Sequence, residues 1–178
     1  MDADLQEMLD HFRIRKVLAE YCRGSDRCDE PLMASIYASQ SWDDHGVFKL
    51  AGDDFARMMV PMVEETTETM SHLLGQSLIT IDGDTAGAET YFIAGIMEAG
   101  DPPRCNQLGG RFVDRLVREN GQWKVAHRTV LQDWSASVAI THDWTVVNPL
   151  NPGARSNADP SYAALGTRHG GMSDAPVG

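Results

Sequence analysis

The stretch from Gly110 to Trp134, GRFVDRLVRENGQWKVAHRTVLQDW, decides the fold of this chain. It consists of two runs rich in aromatic, aliphatic and β-branched residues that flank the dipeptide Asn120-Gly121. Asn and Gly both tolerate the positive φ that a type I′ turn requires, and Asn-Gly between two such runs is the strongest short-range signal for a β-hairpin. The stretch therefore predicts two antiparallel strands joined by a two-residue turn.

The pairing that this turn sets puts charged residues on both faces of the hairpin. Residue-by-residue pairing from the turn places Asp114 opposite His127 and Val113 opposite Arg128. One face then carries Phe112, Asp114, Leu116, Trp123, Val125 and His127, and the other carries Arg111, Val113, Arg115, Val117, Ala126, Arg128 and Val130. On this pattern Arg128 is either a solvated or ion-paired strand residue or a cation directed into a cavity. In the second case the face with Trp123 would point outward and form a contact between subunits.

Composition limits the class of protein. A chain of 178 residues most simply forms one domain with a real core, and its net charge of −11 argues against nucleic acids and anionic membranes as partners. No apolar run approaches membrane-spanning length. The cysteines, Cys22, Cys28 and Cys105, lack the spacing of a zinc site or a disulfide framework, so reduced thiols in a cytoplasmic protein fit best. The glycines form no nucleotide-binding pattern, and the sequence predicts neither a metal nor a cofactor.

Helical patterns come first in the chain and strand patterns follow. Apolar spacing predicts helices at 5–24, from Pro31 and from Asp53, with a turn at 42–46 and a short strand at 47–50. Long strands are predicted at 71–81 and 85–98, ahead of the hairpin. This order is typical of an α+β domain in which a curved, mostly antiparallel sheet wraps over the helices.

The last part of the chain has a different composition. Residues 148–178 are rich in Pro, Gly, Asn and Ser and cannot bury much surface by themselves, whereas residues 1–147 hold the predicted domain. We expect an extended tail that is ordered only where it docks, with Tyr162 and Leu165 as anchors on a neighbouring subunit or over a pocket mouth. A further strand or an irregular segment is predicted at 137–147.

Three polar residues ahead of the hairpin are candidates for catalysis. Tyr21 and Asp26 lie five residues apart across the end of the first predicted helix, and His72 opens the first long strand. An Asp that accepts a hydrogen bond from Nδ1–H of a histidine fixes the ring tautomer and leaves Nε2 as a competent base. Taken singly, Asp26 also fits a loop residue, and His72 a surface or satisfied core histidine. His45 lacks a second well-spaced histidine for a metal site and more simply stabilises a turn.

The order of these motifs resembles the SnoaL-like branch of the nuclear transport factor 2-like superfamily. The resemblance rests on Tyr21-Cys-Arg-Gly-Ser-Asp26, on DDHGVF, on Ser71-His72 and on GRFVDRLVRENGQWKVAHR, and it covers roughly residues 5–135. It implies a cone-shaped α+β barrel whose N-terminal helices and strongly curved sheet enclose one deep, mostly apolar pocket. Members that eliminate halide or water have a catalytic Asp after the first helix, its partner His at the start of a strand and an Arg beyond the hairpin Trp.

The resemblance also implies an activity. Asp26, His72, Arg128 and Tyr21 match the catalytic positions, with an Asp26 carboxylate oxygen within hydrogen-bonding distance of a His72 ring nitrogen. The implied function is a cofactor-independent lyase that removes water from a hydrophobic polycyclic or aromatic small molecule. Loss of halide, isomerisation and carbon–carbon cleavage from the same pocket stay open as alternatives.

The same resemblance leads to expectations about the pocket and the assembly. Tyr91, Val113 and His45 are predicted to contact the substrate, and relatives with the Asp–His pair favour a homotrimer, with a dimer as the second choice. A function of a different class also fits the fold, namely a non-catalytic module for small-molecule binding or assembly, or a structural subunit beside a larger enzyme. In such a protein Asp26 or His72 could face water.

Overall fold

A computed structural model of the chain describes residues 2–101, 103–140 and 150–170. Its elements are α1 (Ala3–Asp26), α2 (Glu30–Ser35), β1 (Tyr37–His45), β2 (Phe48–Leu50), α3 (Gly52–Thr66), β3 (Thr67–Asp82), β4 (Thr85–Glu98), β5 (Arg104–Glu119), β6 (Gln122–Ala139) and α4 (Pro160–Leu165). None of the helices in these residues is long and apolar enough to span a membrane.

The strands form one sheet in the order β2-β1-β6-β5-β4-β3. All neighbouring strands are antiparallel except β1 and β6, which pair in parallel. The sheet curls without closing, and α1 and α3 pack against it, so the predicted cone-like α+β architecture is confirmed. Because side chains alternate along a strand, each long strand gives one set of residues to the concave face and the other to the convex face.

The concave face and the helices share one hydrophobic core. From the helices it receives Ile14, Val17, Leu18, Tyr21, Cys22, Met33, Phe55, Ala56, Val60 and Val63, and from the strands Met70, Ile79, Ala86, Ala88, Phe92, Ala94, Phe112, Leu116, Trp123 and Val125. Close contact between α1 and α2 fixes the end of α1. A Cβ on Gly24 would lie 2.7 Å from the backbone nitrogen of Met33, so only glycine fits there. This contact sets the position of Asp26, the last residue of α1.

The predicted hairpin is confirmed at its turn but not in its register. Asn120 and Gly121 have φ of 52° and 77°, and Glu119 pairs with Gln122 as expected. A β-bulge at Ala126 then shifts the pairing, so that Asp114 lies opposite Arg128 instead of His127. The predicted pairs of Asp114 with His127 and of Val113 with Arg128 are therefore wrong.

The same bulge overturns the prediction that the Trp123 face points outward. Trp123, Phe112, Leu116 and Val125 are all buried on the concave face. Beyond the bulge Arg128 lies on that face as well, and its side chain has no exposed surface. The expectation that an inward Arg128 requires an outward Trp123 assumed uninterrupted alternation, and one extra residue in β6 removes that constraint.

Strand β1 is the main element that the sequence did not predict. Its residues, YASQSWDDH, are mostly polar and include two aspartates, so the sequence predicts the end of a helix and a turn in this segment. It forms a strand because it pairs with β6 on one side and β2 on the other. Here tertiary pairing overrides a weak intrinsic preference for β structure.

The C-terminal segment docks on the helical end of the same chain. Tyr162 is buried, donates a hydrogen bond from its hydroxyl to Asp29 Oδ2 at 3.2 Å, and has the Arg23 guanidinium over its ring at 4.4 Å. His169 Nε2 lies 3.0 Å from the carbonyl oxygen of Arg27. The predicted anchor Tyr162 thus holds the tail against the loop that follows Asp26, whereas Leu165 is exposed. Within the predicted segment 137–147, residues 137–139 belong to β6, and 141–149 lie outside the described residues.

Candidate active site

Asp26 and His72 are in contact inside the cone. His72 lies on β3, and its Nδ1 is 2.6 Å from Asp26 Oδ1, while its backbone N–H donates to Asp26 Oδ2 at 3.0 Å. Both carboxylate oxygens are therefore engaged by one residue, which fixes the imidazole relative to the end of α1. With Nδ1–H donated to the carboxylate, the lone pair of Nε2 is free to accept a proton. The side chains of His72 and Asp26 keep 11% and 13% of their surface exposed, so neither is sealed in the core.

Arg128 is a fully buried cation at the base of the same interior. Its Nε and Nη2 donate to the two oxygens of Asp114 at 2.7 and 2.8 Å, in a bidentate ion pair. Burial by itself lowers the pKa of the Arg128 guanidinium, but Asp114 outweighs this effect and holds that pKa well above its ordinary value. The remaining nitrogen, Nη1, is buried and has no hydrogen-bond partner within residues 2–101, 103–140 and 150–170.

A buried donor without an acceptor is costly unless a ligand or water supplies one. The guanidinium of Arg128 also stacks over two rings, with its central carbon 4.1 Å from the Tyr21 centroid and 4.3 Å from the Phe112 centroid. The guanidinium is therefore held rigidly, and Nη1 is the nitrogen at its free edge, the side that does not donate to Asp114. Such a group can hold the anionic oxygen of a ligand or of a reaction intermediate.

Tyr21 belongs to a second polar cluster, formed by Tyr21, Tyr37, Asp43 and His45. The Tyr21 hydroxyl is 3.1 Å from His45 Nε2, and the Nδ1 of His45 contacts Asp43 Oδ1. The other oxygen of Asp43 accepts a hydrogen bond from the Tyr37 hydroxyl. Burial raises the pKa of Tyr21 far above its ordinary value, and that of Tyr37 likewise, so both phenols stay protonated near neutral pH.

An aromatic wall connects the two histidines. Phe112 lies 6.4 Å from His72 and 5.5 Å from Tyr21 between ring centroids, and it stacks on Phe92 at 4.3 Å. His45 in turn stacks on Phe55 at 4.2 Å. The polar groups therefore stand in apolar surroundings, where hydrogen bonds and charges act more strongly than in water.

Two of the predicted substrate-binding residues are not in this interior. Tyr91 and Val113 are 41% and 37% exposed and lie on the convex face, because their neighbours Phe92 and Phe112 take the concave positions. The structure therefore does not bring Tyr91 and Val113 together with Asp26 and His72, and their contact with a substrate stays a prediction. His45, the third predicted contact, does lie beside Tyr21.

Sequence reasoning missed Asp43, Tyr37 and Asp114 as site residues. Asp43 and His45 are two residues apart, which on a strand gives one shared face, but this signal requires β1 to be recognised as a strand. The sequence predicts Asp114 opposite His127 and not beside Arg128, because the bulge is not visible in the sequence. In the described part of the chain, no three His, Cys, Asp or Glu side chains gather into a group that could hold a metal ion.

A surface cleft of about 160 Å³ between α1 and β3 is separate from this interior. It is lined by Arg15, Leu18, Leu74, Gly75, Gln76 and Ser77. It contains none of the residues of either Asp–His pair. We therefore take the interior cluster, with its fixed imidazoles and its free guanidinium edge, as the candidate active site.

Solved structures with the same fold come from several organisms. The LinA-type3 hexachlorocyclohexane dehydrochlorinase of Novosphingobium barchaimii LL02 has a TM-score of 0.71 at 15% identity, covering 84% of this chain and 100% of its own. A candidate scytalone dehydratase from Novosphingobium aromaticivorans DSM 12444 has a TM-score of 0.68 at 17% identity, with coverages of 73% and 88%. A protein of unknown function from Mycobacterium tuberculosis reaches 0.65 at 21% identity, with coverages of 75% and 77%. At these identities the likeness concerns the fold.

Sequence comparison assigns the family. No functionally curated protein sequence gives a significant match. The SnoaL-like domain family matches residues 6–129, which include all of α1 except its first turn, all of β1 to β5 and the part of β6 that carries Arg128. Asp26, His72, Tyr21 and His45 fall in the same matched region. The chain belongs to the SnoaL-like domain family of the nuclear transport factor 2-like superfamily.

Proposed function

We propose that the protein is a cofactor-independent lyase that eliminates water from a hydrophobic polycyclic or aromatic small molecule, with the Asp26–His72 pair as its general base. The observation that carries this proposal is the 2.6 Å contact between His72 Nδ1 and Asp26, beside the same Phe112 ring that Arg128 covers. The names of two structural neighbours, a dehydrochlorinase and a candidate scytalone dehydratase, denote eliminations and give further support.

The chemistry follows from the roles of the individual groups. His72 Nε2 takes a proton from a carbon next to an activating group such as a carbonyl, and the released electron pair moves toward that group. Nη1 of Arg128 donates to the oxygen on which negative charge develops. The bond to the leaving hydroxyl then breaks, a carbon–carbon double bond forms, and Tyr21 stabilises the departing oxygen.

General-base assistance of this kind contributes ~10²–10⁴ in rate. The remaining acceleration comes from groups that are already oriented before the substrate binds. Asp114 and the two aromatic rings hold Arg128 in place, and the two hydrogen bonds to Asp26 hold His72. Little reorganisation is then required during the reaction.

The test is a panel of steroid, polyketide and lignin-like aromatic alcohols, with water loss followed by mass spectrometry. We expect His72→Ala and Asp26→Asn each to lower kcat by about 10²-fold or more, while the melting temperature stays near that of the wild type. Asp26→Asn keeps the side-chain size and removes the charge that supports the imidazolium. His11→Ala is the matched control, since the His11 imidazole lies 3.9 Å from Glu7 on α1 and belongs to neither Asp–His pair.

Two results would contradict the proposal. Retention of more than about a tenth of kcat in either variant would mean that the base is another group, because general-base catalysis is worth at least ~10²-fold. Tight binding of a panel compound without turnover would instead identify a small-molecule-binding module of the same fold.

We also propose that the protein forms a homotrimer, with a dimer as the alternative, through the convex face of the sheet. An exposed apolar row crosses this face, because Leu73 pairs with Ile93, Ile93 with Gly109, and Gly109 with Trp134. The Trp134 indole lies over Gly109, where a Cβ would come within 2.2 Å of its Nε1. A contiguous apolar surface of this kind is typical of a contact between protein chains.

Light scattering at micromolar concentration checks the assembly. We expect an oligomer for the wild type and a smaller species for Trp134→Glu, which puts a charge at the end of the row. Val47→Glu is the control, because Val47 is an exposed apolar residue outside the row. A wild-type monomer would refute the proposed interface.

A further inference from the structure

The cluster of Tyr21, Tyr37, Asp43 and His45 contains a second Asp–His pair that the general base does not use. Asp43 has no exposed surface and contacts both the Nδ1 of His45 and the hydroxyl of Tyr37. Stacking on Phe55 fixes the plane of the His45 imidazole, and its Nε2 is aimed at the Tyr21 hydroxyl at 3.1 Å. The result is a continuous hydrogen-bonded chain that runs from Tyr37 through Asp43 and His45 to Tyr21.

Charge balance indicates how the protons are arranged in this chain. Arg128 pairs across the sheet with Asp43 on β1 as well as with Asp114 on β5, but its two bidentate hydrogen bonds go to Asp114. A carboxylate without any exposed surface requires a cation beside it. When both ring nitrogens of His45 carry a proton, its imidazolium is that cation, because Nδ1 contacts Asp43 Oδ1. His45 Nε2–H then donates to the Tyr21 oxygen, and the Tyr21 O–H is free to donate elsewhere.

We propose that Asp43 and His45 deliver a proton through Tyr21 to the leaving group, while Asp26 and His72 remove a proton from the substrate carbon on the other side of Phe112. This inference rests on the proposed elimination and adds its acid half. Tyr21 is the catalytic acid that touches the leaving oxygen. His45 and Asp43 act through Tyr21 and are positioning and proton-supplying residues.

Tyr21 requires such a supply because it is a weak acid where it stands. Burial raises the pKa of its phenol far above the ordinary value, so a phenolate left behind in the site would be strongly disfavoured. A proton passed from His45 as Tyr21 releases its own avoids that phenolate. The two Asp–His pairs thus have opposite roles, one taking a proton and one giving it, as in sites where similar groups are given different protonation states.

The steps balance in protons and electrons. The carbon-bound proton goes to His72 Nε2, and the electron pair of that bond becomes the new double bond. The carbon–oxygen bond breaks with its electrons on oxygen, which takes the Tyr21 proton and leaves as water. Tyr21 regains a proton from His45 Nε2. One proton then returns through solvent from His72 to His45, whose side chain keeps 20% of its surface exposed.

The kinetic test compares two leaving groups on one carbon skeleton. The probes are 4-hydroxy-4-phenylbutan-2-one and its acetate ester, which give the same conjugated enone by loss of water or of acetate. Hydroxide needs a proton in order to leave, whereas acetate does not. We expect His45→Gln, which keeps an N–H near the Nε2 position but cannot relay a proton, to lower kcat with the alcohol by about 10²-fold. With the ester its rate should stay close to that of the wild type.

The base variant provides the contrast. His72→Ala should slow both probes, because both require loss of the carbon-bound proton. An equal loss for alcohol and ester in His45→Gln would overturn the relay and leave the proposed elimination intact. Absence of turnover of both probes in the wild type would instead count against the proposed elimination.

A measurement without substrate tests whether the hydrogen-bonded chain that the relay requires exists in solution. In ¹⁵N-histidine NMR spectra we expect Tyr21→Phe to shift the Nε2 signal of His45 and to leave that of His72 unchanged. Asp43→Asn should shift the Nδ1 signal of His45. An unchanged His45 signal in both variants would mean that the hydrogen-bonded chain does not exist in solution, and the inference would fall.

Discussion

Removal of the charge on Asp10 should destabilise the fold far more than removal of the charge on Asp84, although both carboxylates bind Arg118. Asp10 is 2% exposed and accepts hydrogen bonds from Gln6 Nε2 at 2.9 Å, from Arg118 Nη1 and Nη2 at 3.1 and 2.9 Å, and from Trp123 Nε1 at 2.9 Å. It thereby ties α1 to β5 and β6. Asp84 binds Arg118 Nε at 2.8 Å but is 80% exposed.

The expected magnitude follows from what each substitution leaves behind. In Asp10→Asn an amide N–H faces a guanidinium N–H, and the side-chain size is kept. Breaking a buried ion pair costs about 3–5 kcal/mol, and the lower end applies here because Arg118 keeps 18% exposure and its second partner, so we expect about 3 kcal/mol. Asp84→Asn breaks an exposed pair, for which a loss of about 0–1 kcal/mol is expected.

The Asp10 contribution also has a defined dependence on pH. The hydrogen bonds from Arg118, the largest cause, hold the pKa of Asp10 below the ordinary value of 3.8. A carboxyl group whose pKa is lower in the folded state stabilises the fold fully above its unfolded-state pKa, and this stabilisation is lost as pH falls through the folded-state pKa. The difference between wild type and Asp10→Asn should therefore be constant near neutral pH and shrink below about pH 4.

Urea unfolding followed by circular dichroism measures these differences. Asp10→Asn and Asp84→Asn make the same chemical change at two partners of Arg118, so the two variants differ mainly in the burial of the aspartate. A loss below about 1 kcal/mol in Asp10→Asn, or equal losses in both variants, would refute the reasoning that this buried pair ties α1 to the hairpin.

Two further predictions concern the spacing of the strands and the tail. Gly110→Ala should lower the free energy of unfolding by about 1–3 kcal/mol or more, because a Cβ would lie 1.9 Å from the Leu131 carbonyl oxygen. Gly87→Ala should change it little, because a Cβ there meets open space. Thermal unfolding compares the two variants, and a Gly110→Ala variant as stable as the wild type would contradict the close approach of β5 and β6. Tyr162→Ala should increase the rate of proteolytic cleavage within residues 150–170, because it removes the buried anchor of the tail. Leu165→Ala should leave that rate unchanged, because Leu165 is 61% exposed, and equal cleavage in both variants would show that Tyr162 does not hold the tail.

The parts of the fold that sequence could predict are those with local signals. The prediction of a strand at 85–98 matches β4 at Thr85–Glu98, because this stretch is rich in aromatic, aliphatic and β-branched residues and lies between two glycine-containing turns. The Asn120-Gly121 turn was predicted for its positive φ values. Strand β1 carries no such signal, since its position depends on pairing with β6, a segment about eighty residues away in the chain.

The site divides in the same way. Asp26 and His72 could be predicted as a pair by resemblance to a family, and the structure has them in contact, while their catalytic role stays a prediction. Asp43 and Tyr37 could not be predicted, because they reach the site only through the unpredicted β1. Asp114 was visible as a charged residue within an apolar strand, but its partner depends on a bulge that leaves no mark in the composition of β6.

The bulge at Ala126 has a consequence for the chemistry as well as for the register. Without it, Arg128 would lie on the convex face with Arg111 and Arg115, and the buried Asp114 would have no cation beside it. With it, Arg128 forms its bidentate ion pair with Asp114, and Asp43, its cross-strand neighbour on β1, has no exposed surface either. Nδ1 of His45 contacts this second carboxylate, which lies outside the bidentate ion pair of Arg128 with Asp114. A single inserted residue in β6 thus accounts for the permanent charge of Arg128 beside Tyr21 and Phe112, and it leaves Asp43 to pair with His45, as the proposed relay requires.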